Sequence, residues 1–258
     1  MHAFNLHTSD LDQITWKQHD FNFSLKANEV HIWLIEIAEA EDKKLNTSLL
    51  KTLNSAETER MLRFKKQDDQ RRFLYAHSAL RLLCSKYLGQ PSQSIIFTET
   101  INKKPCIEIC FGNLFFNLSH SGLKVLIAFS NEAEVGVDIE QIRPDFKIDD
   151  FMERNYSDSE KKTIASISRH EQLKLFFKYW SRKEAWLKAT GIGIFSDLTT
   201  IDTALPVNRF VSDNYFPGNI KDNFYVYSFQ LDDYCSSIVL NKQPGQMEFL
   251  KFNTGDFL

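Results

Sequence analysis

Two carboxylates one pleat apart are the first residues in this sequence able to do chemistry. Val135-Gly136-Val137-Asp138-Ile139-Glu140 has β-branched residues at period two and reads as a strand interrupted only by Gly136. Successive side chains of a strand point to opposite faces, so Asp138 and Glu140 share one side, with Val137 and Ile139 on the other. Like charges that close repel unless a cation lies between them. Two such oxygen ligands suit Mg2+, which binds a few carboxylates and fills the rest of its shell with water and phosphate oxygens. Taken alone, the stretch reads more simply as a solvated edge strand with two acidic residues.

Trp180-Ser181-Arg182-Lys183-Glu184-Ala185-Trp186-Leu187-Lys188 is the second such stretch. Trp180, Glu184 and Lys188 recur at i, i+4 and i+8 and share one helix face. On a surface that is an ordinary Glu–Lys pair worth roughly 0.2–0.5 kcal/mol. This helix is apolar elsewhere, with Phe176, Phe177 and Trp186, which predicts burial, and a buried Glu and Lys need partners. Glu184 is a candidate third oxygen ligand beside Asp138 and Glu140, and Lys183 and Lys188 are candidate counter-charges for phosphate oxygens. A third constellation is basic: Arg60, Arg63, Arg72, Lys104 and His120. Ser119-His120-Ser121 sits where a strand ends, and its turn amides and hydroxyls suit a phosphate. Lys104 precedes Pro105 and is therefore held extended. Taken singly, His120 also reads as a histidine satisfied by a carbonyl, and the arginines as a solvated helix face.

The elements that must position these groups follow from periodicity. Residues 30–37 read as a strand, 45–67 as one or two helices, and 68–88 as a helix with Arg71, Arg72 and Arg81 on its surface, ended by Gly89 and Pro91. Short strands are expected at 95–98 and 106–109. Segments 114–118, 124–130 and 135–140 read as an antiparallel meander that brings His120 near Asp138. Ser157-Asp158-Ser159-Glu160 is a capping box opening a helix. Residues 171–189 form a long helix stopped by Gly191, and strands follow near 223–229 and 236–240. Residues 1–28 read as a loosely structured leader and the tail from Asn241 as a ragged edge. Strand, helices, strands, then helices, strands is an α+β order with antiparallel sheet, and the two halves have comparable content.

Composition narrows the classes. With 258 residues there is ample core for one large domain or two ordinary ones. The 9 glycines and 6 prolines are too few for long linkers or disorder. A net charge of −3 gives no global field for nucleic acid, so any anion site has to be a local basic cluster. The four cysteines form no Cys-x-x-Cys pair, and Cys106 and Cys110 are expected in the core. There is no basic n-region before an apolar run and no stretch of 18 apolar residues, so a reduced, cytoplasmic protein without membrane association is expected.

Phe116-Asn117-Leu118-Ser119-His120-Ser121, Gly136-Val137-Asp138-Ile139-Glu140 and Trp180 to Lys188, in this order and separation, resemble the signature of 4′-phosphopantetheinyl transferases of the larger, surfactin-type class. The resemblance runs from about residue 55 to 200. Lys104-Pro105 matches a further family element, although Lys103 stands where the family has glycine and Glu57 where a lysine is common. The resemblance implies transfer of the 4′-phosphopantetheine arm of coenzyme A to a serine of an acyl, peptidyl or aryl carrier protein, with adenosine 3′,5′-bisphosphate leaving. It implies Mg2+ held by Asp138, Glu140 and Glu184. Lys188, with Lys183 beside it, would lie near the transferred phosphate, and Glu160 would be a base for the serine, a metal-bound water being the other candidate. It implies that His120, Arg72 and Lys104, with Ser119 and Arg60 near them, hold the nucleotide end of coenzyme A. It also implies two similar α/β halves in pseudo-twofold relation, residues 1–133 and 134–258, the site in the cleft between them, in a monomer. An apolar carrier surface is expected around residues 142–151. The other classes to weigh are a non-catalytic coenzyme A-binding protein of the same fold and a metal-dependent nucleotide pyrophosphate hydrolase.

Overall fold

The structure, a computed structural model, describes residues 2–19, 23–40, 42–100, 103–108, 114–192, 197–212 and 223–253. In chain order its elements are β1 (His2–Asp10), β2 (Lys17–Gln18), β3 (Glu29–Glu36), α1 (Lys43–Leu50), α2 (Ser55–Leu62), α3 (Gln67–Leu88), β4 (Phe97–Glu99), β5 (Pro105–Ile107), β6 (Phe115–Ser121), β7 (Lys124–Ser130), β8 (Val135–Gln141), α4 (Asp149–Asn155), α5 (Asp158–Ala165), α6 (Arg169–Thr190), β9 (Val207–Ser212), β10 (Asn223–Leu231), β11 (Tyr234–Leu240) and β12 (Gln246–Phe252). Two five-stranded sheets, β2-β12-β3-β7-β6 and β8-β11-β10-β1-β9, carry the fold, with β4-β5 as a separate small hairpin.

Each half repeats one plan. A first strand leads into helices ending in a 22-residue helix, and a hairpin follows whose second strand pairs with the first: β3, α3, β6-β7, and then β8, α6, β10-β11. Both long helices stop on a glycine in the left-handed region, Gly89 and Gly191, each at φ +64°. This is an α+β fold of two like halves, as expected. α3 packs Phe73, Ala76, Leu80, Leu83 and Cys84 into the core of the first half. α6 packs Ala185, Trp186 and Ala189 with Phe4, Leu6, Phe224 and Val226 of β1 and β10 in the second.

Three expectations need correction. Residues 1–28 are not a loose leader throughout: β1 buries Phe4 and Leu6 and runs parallel to β10 in the second sheet. The tail is not a ragged edge: β12 lies between β2 and β3, parallel to both, and buries Phe249, Leu250 and Phe252. The halves thus exchange their outermost strands across the 133/134 division. The third correction concerns the meander. β6 and β7 form the expected hairpin, but β8 pairs with β11, placing Asp138 opposite Ser237 and Glu140 opposite Cys235. The division between sheets therefore falls between β7 and β8. Cys84, Cys106 and Cys235 are free thiols, Cys106 only half-buried, and Cys110 lies outside the described residues.

Gly136 sets how closely α6 lies on β8. A Cβ there would stand 2.1 Å from the Ala185 carbonyl oxygen and 2.3 Å from the Ala189 nitrogen. Both obstacles are helix backbone, which cannot swing aside as a side chain can. Gly136→Ala is expected to destabilise the protein by about 1–3 kcal/mol or more in denaturant unfolding, the overpacking range. It is also expected to move Glu184 and Lys188 away from Asp138. A loss below ~0.5 kcal/mol, the range of inconsequential surface substitutions, would show that helix and strand are not in fixed register.

Candidate active site

The seam between the sheets is closed by side chains. Asn117, Ser119 and Ser121 alternate along β6 and so face the same way, toward β8. Asn117 Oδ1 accepts from Val137 N (2.9 Å), Ser119 Oγ donates to Asp138 Oδ1 (2.9 Å), and Ser121 Oγ accepts from Gln141 N (3.1 Å). These contacts stand where a backbone ladder would otherwise run. They put the sequence's Asn-x-Ser-x-Ser pattern in service of β8.

Asp138 is the centre. Only 3% of it is exposed, Lys188 Nζ stands 2.7 Å from its Oδ1, and the same amine reaches Ser119 Oγ at 2.8 Å. Asp138 Oδ2 is buried and no protein donor reaches it. Burial and the Asp138 charge push the Glu140 carboxyl up to about 7, against a Ser121 hydroxyl donating at 3.2 Å, the Lys188 charge and the Trp180 indole. Glu184 is half-buried, and burial together with Asp138 raises its pKa while Lys188 opposes the shift. The cleft therefore gathers three carboxylates and one ammonium, with one buried carboxylate oxygen left bare. That donor set of hard oxygens, short of positive charge, fits Mg2+. Among the described residues no three His, Cys, Asp or Glu side chains are grouped closely enough to be picked out as a metal site by position alone.

The basic groups divide. His120 alternates with Ser119 onto the other side of β6, and burial first, then Lys188 and Arg72, lower its pKa. Arg72 bonds Asp69 and reaches the Gly122 carbonyl at 3.4 Å. Arg60 stands over the Phe73 ring at 5.6 Å and lines a cavity of ≈ 230 Å³ with His77, Arg81, Phe97, Thr98 and Pro105. Lys104 instead bridges the halves: its Nζ meets Glu134 Oε2 at 2.5 Å and the Ala189 carbonyl at the end of α6 at 2.9 Å. Lys103, in the place of the family glycine, adopts φ +62°, the left-handed conformation that glycine takes at no steric cost.

Sequence reasoning missed Arg81, expected on the surface. It is 1% exposed; it pairs with Glu57 at 2.6 Å, donates to the Ser92 and Ile95 carbonyls, and stacks on Phe97. The signal was present: Arg81 lies on the buried stripe with Leu80 and Cys84, four residues on from the half-buried His77. Glu57, lacking the family lysine's charge, is this arginine's partner.

Glu160 and Lys183 are brought to each other and not to the Asp138 centre. Both side chains are fully buried and paired at 2.8 Å. Lys183 Nζ also donates to the Leu198 (2.8 Å) and Ile201 (2.6 Å) carbonyls. Glu160 Oε1 accepts from Thr203 N and Oγ1, and Oε2 from Ser157 N. Their polar atoms are engaged with each other and with these neighbours, and both side chains are shut off from solvent. They staple α5, α6 and residues 197–203 together. Ile142, Phe146 and Phe151, expected on a carrier surface, are half-buried against Phe176 and Phe177. No helix among the described residues is long and apolar enough to cross a membrane.

Comparison with known proteins agrees with this geometry. The 4′-phosphopantetheinyl transferase superfamily model matches residues 134–239, and the model for the N-terminal part of such transferases matches residues 40–132. The chain is 34% identical over 195 residues to the 4′-phosphopantetheinyl transferase HetI of a Nostoc species, covering 75% of this chain and 81% of that one. It is 32% identical over 196 residues to the transferase psf-1 of Bacillus pumilus (74% and 80% covered) and 28% identical over 180 to Sfp of Bacillus subtilis (68% and 79%). Asp138, Glu140, Glu184 and Lys188 all lie in the second matched segment, with Ser119 of the first bonded to Asp138 and Lys188, and this chain belongs to the 4′-phosphopantetheinyl transferase family of enzymes.

Proposed function

We propose that the enzyme transfers the 4′-phosphopantetheine arm of coenzyme A to a serine hydroxyl of an apo carrier protein, releasing adenosine 3′,5′-bisphosphate. The observation that carries this is the Asp138 centre: a buried carboxylate with one bare oxygen, a lysine at its other oxygen, and two more carboxyls whose pKa values are raised. Asp138, Glu140 and Glu184 would hold Mg2+, which supplies stabilisation of the negative charge growing on the pyrophosphate. Lys188 is the ammonium that meets the transferred phosphate, and Ser119 orients it. His120 and Arg72, with Arg60 at the cavity beyond, receive the 3′-phosphate and base. Lys104 closes that end by tying the β4-β5 hairpin to α6.

The bonds balance simply. The serine Oγ–P bond forms as the bridging P–O bond of the pyrophosphate breaks, and the serine proton needs an acceptor. Glu160 is already paired with Lys183, which leaves a water in the cleft or Glu184, half-buried beside the centre, as the acceptor. Both sheets and the seam come from one chain, which supports action as a monomer.

Apo carrier protein incubated with coenzyme A and Mg2+ is expected to gain the mass of one phosphopantetheine arm. No gain with acyl, peptidyl and aryl carriers alike would sink the reading. Asp138→Asn and Glu184→Gln are each expected to lower kcat by ~10²-fold or more, the scale seen when a transition-state electrostatic contact is removed. Either variant keeping near-normal rates at low Mg2+ leaves the ligand set. His120→Ala is expected to raise KM for coenzyme A more than for dephospho-coenzyme A. Equal changes with both donors would remove its 3′-phosphate role.

A pH signature follows from Glu140. Its carboxyl, pushed up to about 7, must lose a proton to bind a cation, so Mg2+ affinity falls as pH drops through 7. One such proton makes the decline about tenfold per pH unit below that point. Without Mg2+ the same shift means that the ionised carboxylate destabilises the fold above pH 7, so Tm should rise as pH falls from 8 to 6. Titrations of Mg2+ affinity and Tm against pH check both signs, and Glu140→Gln is expected to flatten both.

A further inference from the structure

Among the described large apolar side chains Leu62 is the most exposed, at 64%, and Phe64, two residues on, is 36% exposed. Single exposed leucines are ordinary, but this one sits in a built setting. The chain around it is pinned rather than loose. Arg63 N bonds the Arg60 carbonyl and Phe64 N that of Met61, each at 3.2 Å, and Gln70 Nε2 donates to the Phe64 carbonyl at 2.9 Å. Met61 is buried, and the Phe64 ring leans on Phe73 at 5.7 Å. Leu62 is thus held outward by a fixed backbone.

Charge surrounds it. Arg60, Arg63, Lys65 and Lys66 are exposed, against Glu59, 3.9 Å from Arg63, and Asp68. In a chain of net charge −3 this is a local surplus of cations around an apolar knob. The same stretch leads into α3, which carries a residue toward the cleft. Lys66 caps α3, and Arg72 follows about 9 Å along that helix at ~1.5 Å per residue. Arg72 reaches the Gly122 carbonyl in the β6-β7 turn, next to Ser121, whose hydroxyl bonds Glu140.

We propose that Leu62 and Phe64, ringed by Lys65 and Lys66, form the docking knob for an acidic amphipathic helix of the carrier protein. The occupant follows from charge complementarity: an apolar centre with a cationic rim fits an apolar stripe flanked by carboxylates. The apolar residues 142, 146 and 151 are already packed against α6, whereas Leu62 is the most exposed of the described large apolar side chains. The proposal rests on the transfer reading for the identity of the partner.

Fluorescence anisotropy with labelled apo acyl and apo peptidyl carrier proteins tests it separately from catalysis. Leu62→Ser and the pair Lys65→Glu, Lys66→Glu are each expected to raise the carrier Kd about tenfold or more, the scale of truncated interface contacts. Added salt should weaken wild-type binding and affect the charge-reversed variant less. KM for coenzyme A should stay within about twofold in both variants. The proposal is overturned if the carrier Kd is unchanged in both, if KM for coenzyme A moves instead, or if neither carrier binds the wild-type enzyme. It is also overturned if the substitutions abolish binding to phosphatidylserine vesicles and leave the carriers unaffected. Carrier binding without transfer would sink the transfer reading and leave the docking surface standing.

Discussion

A carboxylate taken almost wholly out of water and given too few partners is the constraint on which this structure turns. Asp138 has a serine and a lysine on one oxygen and nothing on the other. Moving a carboxylate into a protein interior costs several kcal/mol after relaxation, and a single lysine does not reliably offset that. Two further carboxyls beside it make the cost larger, as the raised pKa values of Glu140 and Glu184 record. Selection for stability alone would not assemble such a centre. A cation and an anionic substrate would relieve it, the cation through the carboxylates and the substrate through Lys188. The strain is local and electrostatic, and the surroundings are correspondingly stiff.

That stiffness comes from three devices acting on the same two elements. Gly136 lets α6 touch β8, fixing the height of Glu184 and Lys188 above the Asp138 pleat. The β6 side chains Asn117, Ser119 and Ser121 fix β8 laterally. The exchanged strands fix the halves to each other. Asp10, at the end of β1, is held by Arg182 (2.7 Å) and Lys178 (2.9 Å) of α6. The N-terminal strand therefore anchors the helix that carries the site, although it contributes no group to the chemistry. The Glu160–Lys183 pair does the same from the opposite flank, joining α6 to α5 and to residues 197–203. Residue 183 is buried in this staple while residue 184 faces the cleft. Adjacent positions on a helix point about 100° apart, so one motif supplies both the support and the active group.

The sequence showed what local pattern can show. The period-two run at 135–140 and the i, i+4, i+8 face of α6 placed Asp138, Glu140, Glu184 and Lys188 correctly relative to their own elements. What it could not show was partner choice at long range. Whether β8 pairs with β7 or β11 depends on contacts about a hundred residues apart, and a meander is merely the nearest option. β1 and β12 were misread because half of their residues are polar and their partners lie in the opposite half. Glu160 and Lys183 were legible as charged and motif-borne, but their mutual neutralisation depends on Thr203 and on carbonyls of a segment with no pattern of its own. Arg81 was misplaced because a buried guanidinium needs its acceptors identified first, and these come from α2 and the 92–95 turn.

Lys104 shows how the two halves can be coupled to occupancy. Its ammonium is satisfied by Glu134 and by a carbonyl at the negative end of the α6 dipole, so it stabilises the helix that bears Lys188. A phosphate near the β4-β5 hairpin would compete with both acceptors for that proton donor. The same residue would then exchange a contact across the seam for one to the nucleotide, and α6 would lose a cap as it gained a ligand at its cleft face. Lys103, kept in a conformation that favours glycine, fixes the turn from which Lys104 makes that exchange.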